Sequence, residues 1–354
     1  MLQSPVRLRV AVLLDFSFPR NGVDALPTLG WGCMGARPAD PKTRFGMMMS
    51  VGFDMQIGYV GLGNMGGALA GRLQKTHSLI IYDQNPAAAA QLVEAGARAA
   101  ASLPELAAQC DIILLCLPTS RHVREVIYGS DGLAEGLKSG TLLIDQSTGD
   151  PAETRAMAAT LNERSARLID APVSGGTAGA EAGTIAIMVG AAQEDYDRAL
   201  PVLHAISQNV VHAGGVGNGH VIKLVNNMMS TVQRALSFEA VALAAKSGVD
   251  PGVATDILLM GGARNAYLEK MMAPRVLKGK LNVGFTLELA LKDLRLACQL
   301  ATAMDAPMLL GNIAREIYQL CRADLGGSSQ VDTIGQFYDR MAGTQVVPAD
   351  NDLN

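Results

Sequence analysis

The sequence predicts an α/β fold: a doubly wound parallel sheet followed by an all-α C-terminal domain. Between residues 55 and 213, apolar runs of strand length alternate with helical patterns, as in a parallel sheet covered on both faces. After Gly214-Gly215-Val216-Gly217-Asn218-Gly219 the alternation stops and every later pattern is helical. The first strand runs into a glycine turn and then a helix, the order that opens a Rossmann-type unit.

Strands are expected at 57–60, 79–82, 112–117, 142–145, 168–171, 185–189 and 210–213, with a brief one near 98–100. The helices between them are expected at 64–75, 86–95, 103–108, 151–163 and 193–206, where Pro86 and Pro151 suit a first helical turn. The second half should hold helices at 220–246, 253–260, 267–272, 286–304, 308–323 and 331–338. The glycine run is the expected joint, giving a sheet domain at 55–217, a helical domain at 218–345 and a tail at 346–354.

At 354 residues the chain has the length of two domains, and 49% apolar residues can fill two cores. A net charge of −4 with 18% charged residues and no stripe of Lys and Arg excludes a nucleic-acid surface. Cysteines 33, 110, 116, 298 and 321 form no CxxC pair and have no close His, so neither a metal site nor a disulfide framework is expected, and a reducing cytoplasm fits. No apolar run approaches the roughly 20 residues of a membrane helix, so no membrane partner is expected. Residues 1–54 carry scattered Pro and Gly and the run Met47-Met48-Met49. Arg7, Arg9 and Arg20 hint at a transit peptide and Val10 to Leu14 at a signal core, but Asp15, Asp24 and the lack of sustained amphipathicity argue against both. This segment is expected to be an N-terminal extension, disordered or absent from the native protein.

In Gly61-Leu62-Gly63-Asn64-Met65-Gly66 the first glycine permits a tight turn, the second lets the backbone approach a pyrophosphate, and the third lets helix and strand pack closely. The following helix offers free N–H groups and the positive end of its dipole to phosphates. The second strand ends on Asp83, 22 residues after Gly61. A carboxylate there accepts bonds from ribose hydroxyls and repels a 2′-phosphate, which favours NAD over NADP. Gln84 and Asn85 follow rather than an Arg. The plainer role for Asp83 is to cap the Pro86 helix. Ligands of such sheets bind at the carboxyl ends of strands, so Leu117-Pro118-Thr119, Ser147-Thr148 and Pro172-Val173-Ser174 should face one crevice.

Carbonyl reduction by hydride needs a proton donor, and the helical half must supply it. Lys223 and Asn227 lie four residues apart, on one face of the long helix. A lysine with a lowered pKa can deliver and recover the proton, and a neighbouring amide can orient the substrate. His220 is the rival base, with His122 and His212 as further candidates, and local sequence leaves the choice among them open.

The glycine loop, the run 170–176 (DAPVSGG), the block from Gly214 to Asn227 and Lys292-Asp293 together resemble the β-hydroxyacid dehydrogenase family, whose best-known member is 3-hydroxyisobutyrate dehydrogenase. The resemblance spans about 55–343 in chain order. It implies that Lys223 is the catalytic acid and base, that Asn227 contacts substrate, and that Ser174, Gly175 and Gly176 bind the substrate carboxylate. Exposed backbone N–H groups of a glycine turn suit an anion. It also implies cofactor contacts at Leu117, Pro118, Thr148 and Lys292, with His122 standing where the family has an asparagine.

The resulting expectation is an NAD-dependent oxidoreductase that interconverts a small β-hydroxyacid, such as 3-hydroxyisobutyrate, and its semialdehyde. The rivals are a glyoxylate, tartronate semialdehyde or succinic semialdehyde reductase, often using NADPH; an imine reductase, against which Lys223 weighs; and a non-catalytic NAD-binding interaction module. A homodimer or homotetramer is expected, with Met228, Met229, Met271 and Met272 offering either an interface or a core.

Overall fold

A computed structural model describes residues 55–348; the expectations for 1–54 and for the last six residues fall outside the described residues. The sheet half runs β1 (Ile57–Val60), α1 (Asn64–Gln74), β2 (Leu79–Tyr82), α2 (Pro86–Glu94), β3 (Arg98–Ala99), α3 (Leu103–Gln109), β4 (Ile112–Leu115), α4 (Ser120–Tyr128), β5 (Leu142–Asp145), α5 (Pro151–Glu163) and β6 (Arg167–Asp170). It continues through β7 (Val173–Ser174), α6 (Gly176–Ala182), β8 (Ala186–Gly190), α7 (Gln193–Ile206) and β9 (Val210–Gly214). The order across the sheet is β3-β2-β1-β4-β5-β6-β8-β7, with β9 also paired to β8.

Strands β1 to β6 are parallel throughout. The sheet is mostly parallel, as expected; at one edge β8 runs antiparallel to β6 and β7, and β9 lies parallel to β8. The cause is local. After Asp170 the chain turns through the short β7 and α6 and re-enters the sheet from the opposite end. The sequence reading placed no element at β7, α4 or α6, because each is short or interrupted by Gly, Pro or polar residues. It also carried β4 two residues too far, into the Cys116-Leu117 turn.

Alternate residues of the central strands feed opposite cores. Ile57, Tyr59, Ile112 and Leu114 pack with Leu69 and Leu73 of α1 and with Val202 and Leu203 of α7. Val60, Ile113 and Leu115 pack with Leu106, Val123, Met157 and Leu161 of α3, α4 and α5. Two-sided burial explains why these strands read as unbroken apolar runs.

The helical half comprises α8 (Asn218–Lys246), α9 (Pro251–Met260), a π turn at Leu268–Met272, α10 (Leu287–Ala303), α11 (Leu309–Leu325) and α12 (Ile334–Ala342). The expected 331–338 helix divides into a 3-10 turn at Val331–Thr333 and α12. Phe238, Leu287, Leu291, Leu294, Tyr318 and Ile334 form its core. Met272 is buried there and Met228 and Met271 are half-buried against it, whereas Met229 is exposed. Val346 and Val347, assigned by sequence to the tail, are buried in the same core, held by N–H bonds from both residues to the Asp339 carboxylate.

Candidate active site

The glycine loop leaves β1 and enters α1. Gly61 has φ 90°, and a Cβ there or at Gly66 would strike a neighbouring carbonyl, whereas a Cβ at Gly63 would meet nothing within 4 Å. The first and third glycines therefore serve the turn and the helix–strand contact, and the second leaves open space over the backbone, as a bound pyrophosphate requires. Leu62 is buried beneath the loop, and Asn64 and Met65 begin α1. Asp83, at the end of β2, accepts the Leu62 N–H at 2.7 Å on one oxygen and the Asn85 N–H at 2.8 Å on the other. Asn85, not Asp83, caps α2, through its bond from the Ala87 N–H.

Leu117 and Pro118 follow β4, and Thr148 follows β5. The Leu117 N–H donates to Ser147 Oγ at 2.9 Å, joining the two strand ends. Lys292 reaches over from α10 and donates to the carbonyls of Thr148 at 2.8 Å and Pro118 at 3.2 Å. Its ammonium also lies 3.1 Å from the buried Asp293 carboxylate. Asp293 accepts the Asn227 side-chain N–H at 2.6 Å, tying α10 to α8.

Lys223 lies one turn before Asn227 on α8. Among the described residues it makes no hydrogen bond or ion pair. Burial lowers its pKa below the usual lysine value; the Asp293 charge opposes the shift and the Lys292 charge adds to it. Next to it, the Asn226 side-chain N–H donates to Ser174 Oγ at 3.2 Å and to Asn227 Oδ1 at 3.1 Å. The Ser174 turn continues through Gly175 and Gly176, whose φ values of 142° and 71° suit glycine.

The structure thus gathers Lys223, Asn226, Asn227, Ser174, Asp293 and Lys292 where the helical half meets the carboxyl ends of the strands. Asn226 and Asp293 were not assigned roles from sequence, because neighbouring polar residues on a helix give no sign of which one faces the cleft. The rival histidines are engaged elsewhere. His220 is fully buried, with Nδ1 bonded to Thr154 Oγ1 and Nε2 to the Ser147 carbonyl. His212 bonds the Ala191 carbonyl and stacks on Tyr196. His122 bonds Thr119 Oγ1 at 2.7 Å in the first turn of α4. Among the described residues no group of three His, Cys, Asp or Glu side chains could hold a metal ion.

Comparison with known proteins identifies the family. A family model described as the NAD binding domain of 6-phosphogluconate dehydrogenase matches residues 56–215, and one described as NAD-binding of NADP-dependent 3-hydroxyisobutyrate dehydrogenase matches 217–338. The chain is 36% identical to the mitochondrial 3-hydroxyisobutyrate dehydrogenase of Mus musculus, over 75% of this chain and 81% of that one. It is 35% identical to the 3-sulfolactaldehyde reductase of Escherichia coli, over 75% of this chain and 90% of that one. A solved structure of Mycobacterium tuberculosis 3-hydroxyisobutyrate dehydrogenase with L-serine superposes with a TM-score of 0.73 at 31% identity, covering 80% of this chain and 98% of that one. With a nicotinamide-dinucleotide fold over its first half and named dehydrogenases of hydroxyacids among its relatives, the chain belongs to the β-hydroxyacid dehydrogenase family of oxidoreductases.

Proposed function

We propose that this enzyme is an NAD-dependent β-hydroxyacid dehydrogenase that interconverts a small substrate such as 3-hydroxyisobutyrate and its semialdehyde, with Lys223 as general acid and base. The observation that carries this reading is the half-buried Lys223, which makes no hydrogen bond or ion pair among the described residues and feels the charges of the Lys292–Asp293 pair. Bound NAD supplies the hydride acceptor. Gly61, Leu62, Gly63, Asn64, Met65 and Gly66 would cradle its phosphates and Asp83 would hold its adenosine ribose. Leu117, Pro118, His122, Thr148 and Lys292 would supply its further contacts.

The turn at Ser174, Gly175 and Gly176 receives the substrate carboxylate, and Asn227, backed by Asn226, orients the hydroxyl. Neutral Lys223 takes the hydroxyl proton as the carbon-bound hydrogen departs with its electron pair. In the reverse direction the ammonium returns that proton to the carbonyl oxygen. Asp83 favours NAD, since its charge repels a 2′-phosphate. An assay of NADH and NADPH formation over a panel of short hydroxyacids tests the reading. It stands if a β-hydroxyacid with NAD gives the highest kcat/KM, and it yields to the semialdehyde reductase reading if NADPH with glyoxylate, tartronate semialdehyde or succinic semialdehyde does.

The same reading includes a homodimer or homotetramer. Exposed apolar side chains, Leu236 and Leu243 on α8, Val253 and Ile257 on α9, and Leu309 and Ile313 on α11, support it. Light scattering that gives a monomer mass at micromolar concentration contradicts this part. For compartment the reading keeps to the cytoplasm. The four described cysteines are free, and no described helix is long and apolar enough to cross a membrane.

A further inference from the structure

Helix α8 begins on Gly217, which has φ 89° and no side chain to cap the first N–H groups of a 29-residue helix. Asp170, at the end of β6 and fully buried, supplies the acceptor from 47 residues upstream. One carboxylate oxygen takes the Gly217 N–H at 2.6 Å and the other the His220 N–H at 2.7 Å. Glycine is required on both sides of this contact: a Cβ on Gly190 would lie 2.5 Å from one Asp170 oxygen and a Cβ on Gly219 2.8 Å from the other. An anion here also meets the positive end of the helix dipole.

The His220 ring holds the same turn from another direction. Its Nε2 bonds the Ser147 carbonyl at 3.1 Å and its Nδ1 bonds Thr154 Oγ1 at 3.0 Å. Ser147 Oγ in turn accepts the Leu117 N–H. The strand ends expected to contact the cofactor are therefore joined to the helical turn that immediately precedes Lys223. His220 and Lys223 are three positions apart, so the two side chains leave neighbouring turns of one helix face.

We infer that Asp170 and His220 are positioning residues that fix the height of the Lys223 amine against the 117–118 and 147–148 loops, so that proton acceptor and hydride acceptor keep one register. The inference rests on the reading of Lys223 as acid and base. Both side chains have no exposed surface, so neither touches substrate or cofactor. Displacements near 1 Å suffice to cost a large part of the turnover.

The test is Asp170→Asn in the full chain, with kcat expressed per NADH-binding site and NADH affinity measured by fluorescence titration. The amide keeps the shape but opposes one helix N–H with its own N–H. The expected result is a fall in per-site kcat of about tenfold or more, with NADH affinity kept, because the glycine loop and Asp83 are untouched. A purely structural role would reduce the number of sites and leave per-site kcat unchanged. That result, or a kcat that falls only in step with NADH affinity, overturns the inference. If Asp170→Asn does not fold, Thr154→Val frees one ring nitrogen and leaves the helix cap in place. A per-site kcat lowered about threefold is then expected, and an unchanged one overturns the inference. Lys223→Ala run alongside separates the claims: full turnover without Lys223 ends the functional reading itself, whereas an inactive Lys223→Ala beside a normal Asp170→Asn removes only the positioning role.

Discussion

Lys292 donates to the Thr148 carbonyl at 2.8 Å, so one ammonium group from α10 is seated on the end of strand β5. The same ammonium lies beside Asp293, and both charges act on the pKa of Lys223, Lys292 lowering it and Asp293 raising it. On the proposal that Lys223 is the base, it must be neutral for hydroxyacid oxidation, so kcat is expected to climb as pH rises through its pKa. Lys292→Met removes a positive neighbour, raises the Lys223 pKa and moves that limb to higher pH. Asp293→Asn removes a negative neighbour and moves it to lower pH. Profiles of kcat against pH for both variants check the pair; limbs moving together, or not at all, contradict the assignment.

Asp83 accepts backbone N–H groups on both oxygens, tying the glycine loop to β2, and is proposed to hold the ribose as well. In Asp83→Ala, kcat/KM for NAD should fall roughly tenfold, as for loss of a hydrogen bond to a charged group. The ratio of NADP to NAD efficiency should rise as the repulsion disappears. Initial-rate measurements with both cofactors decide, and an unchanged ratio removes Asp83 from cofactor selection.

Partial loss of hydration around the half-buried Lys223 ammonium costs stability. Lys223 has a lowered pKa in the folded chain, so between that value and the ordinary lysine value near 10.5 the unfolded chain binds more protons. Its contribution to stability therefore rises with pH across that window. Lys223→Met should have a higher Tm than the parent at neutral pH, and the gap should narrow toward pH 10. Calorimetry of both proteins over that range tests the sign; a Tm gap that widens with pH contradicts it.

Much of this was legible in the sequence for physical reasons. Strands β1, β2 and β5 and helix α5 are uninterrupted patterns whose ends carry Gly, Asp or Pro, and their expected bounds match the observed ones, as do those of α7 despite Pro201 inside it. The glycine loop could be read because each of its three glycines answers a separate steric demand. Reversal of β8 could not, since strand direction depends on where the chain re-enters the sheet and leaves no trace in an apolar run. Asp170 was visible only as a letter in a motif, its role as the cap of α8 depending on a contact 47 residues away. His220 reads as a candidate base in sequence, and only packing shows both of its ring nitrogens engaged.

The most direct measurement is single-turnover NADH formation by Lys223→Ala, with NADH affinity determined on the same sample and small primary amines added to replace the lost group. The expected result is a rate at least about a hundredfold lower than the parent, with NADH affinity retained and part of the rate restored by the amine. Near-parental NADH formation without Lys223 would contradict its role as the acid and base of this enzyme.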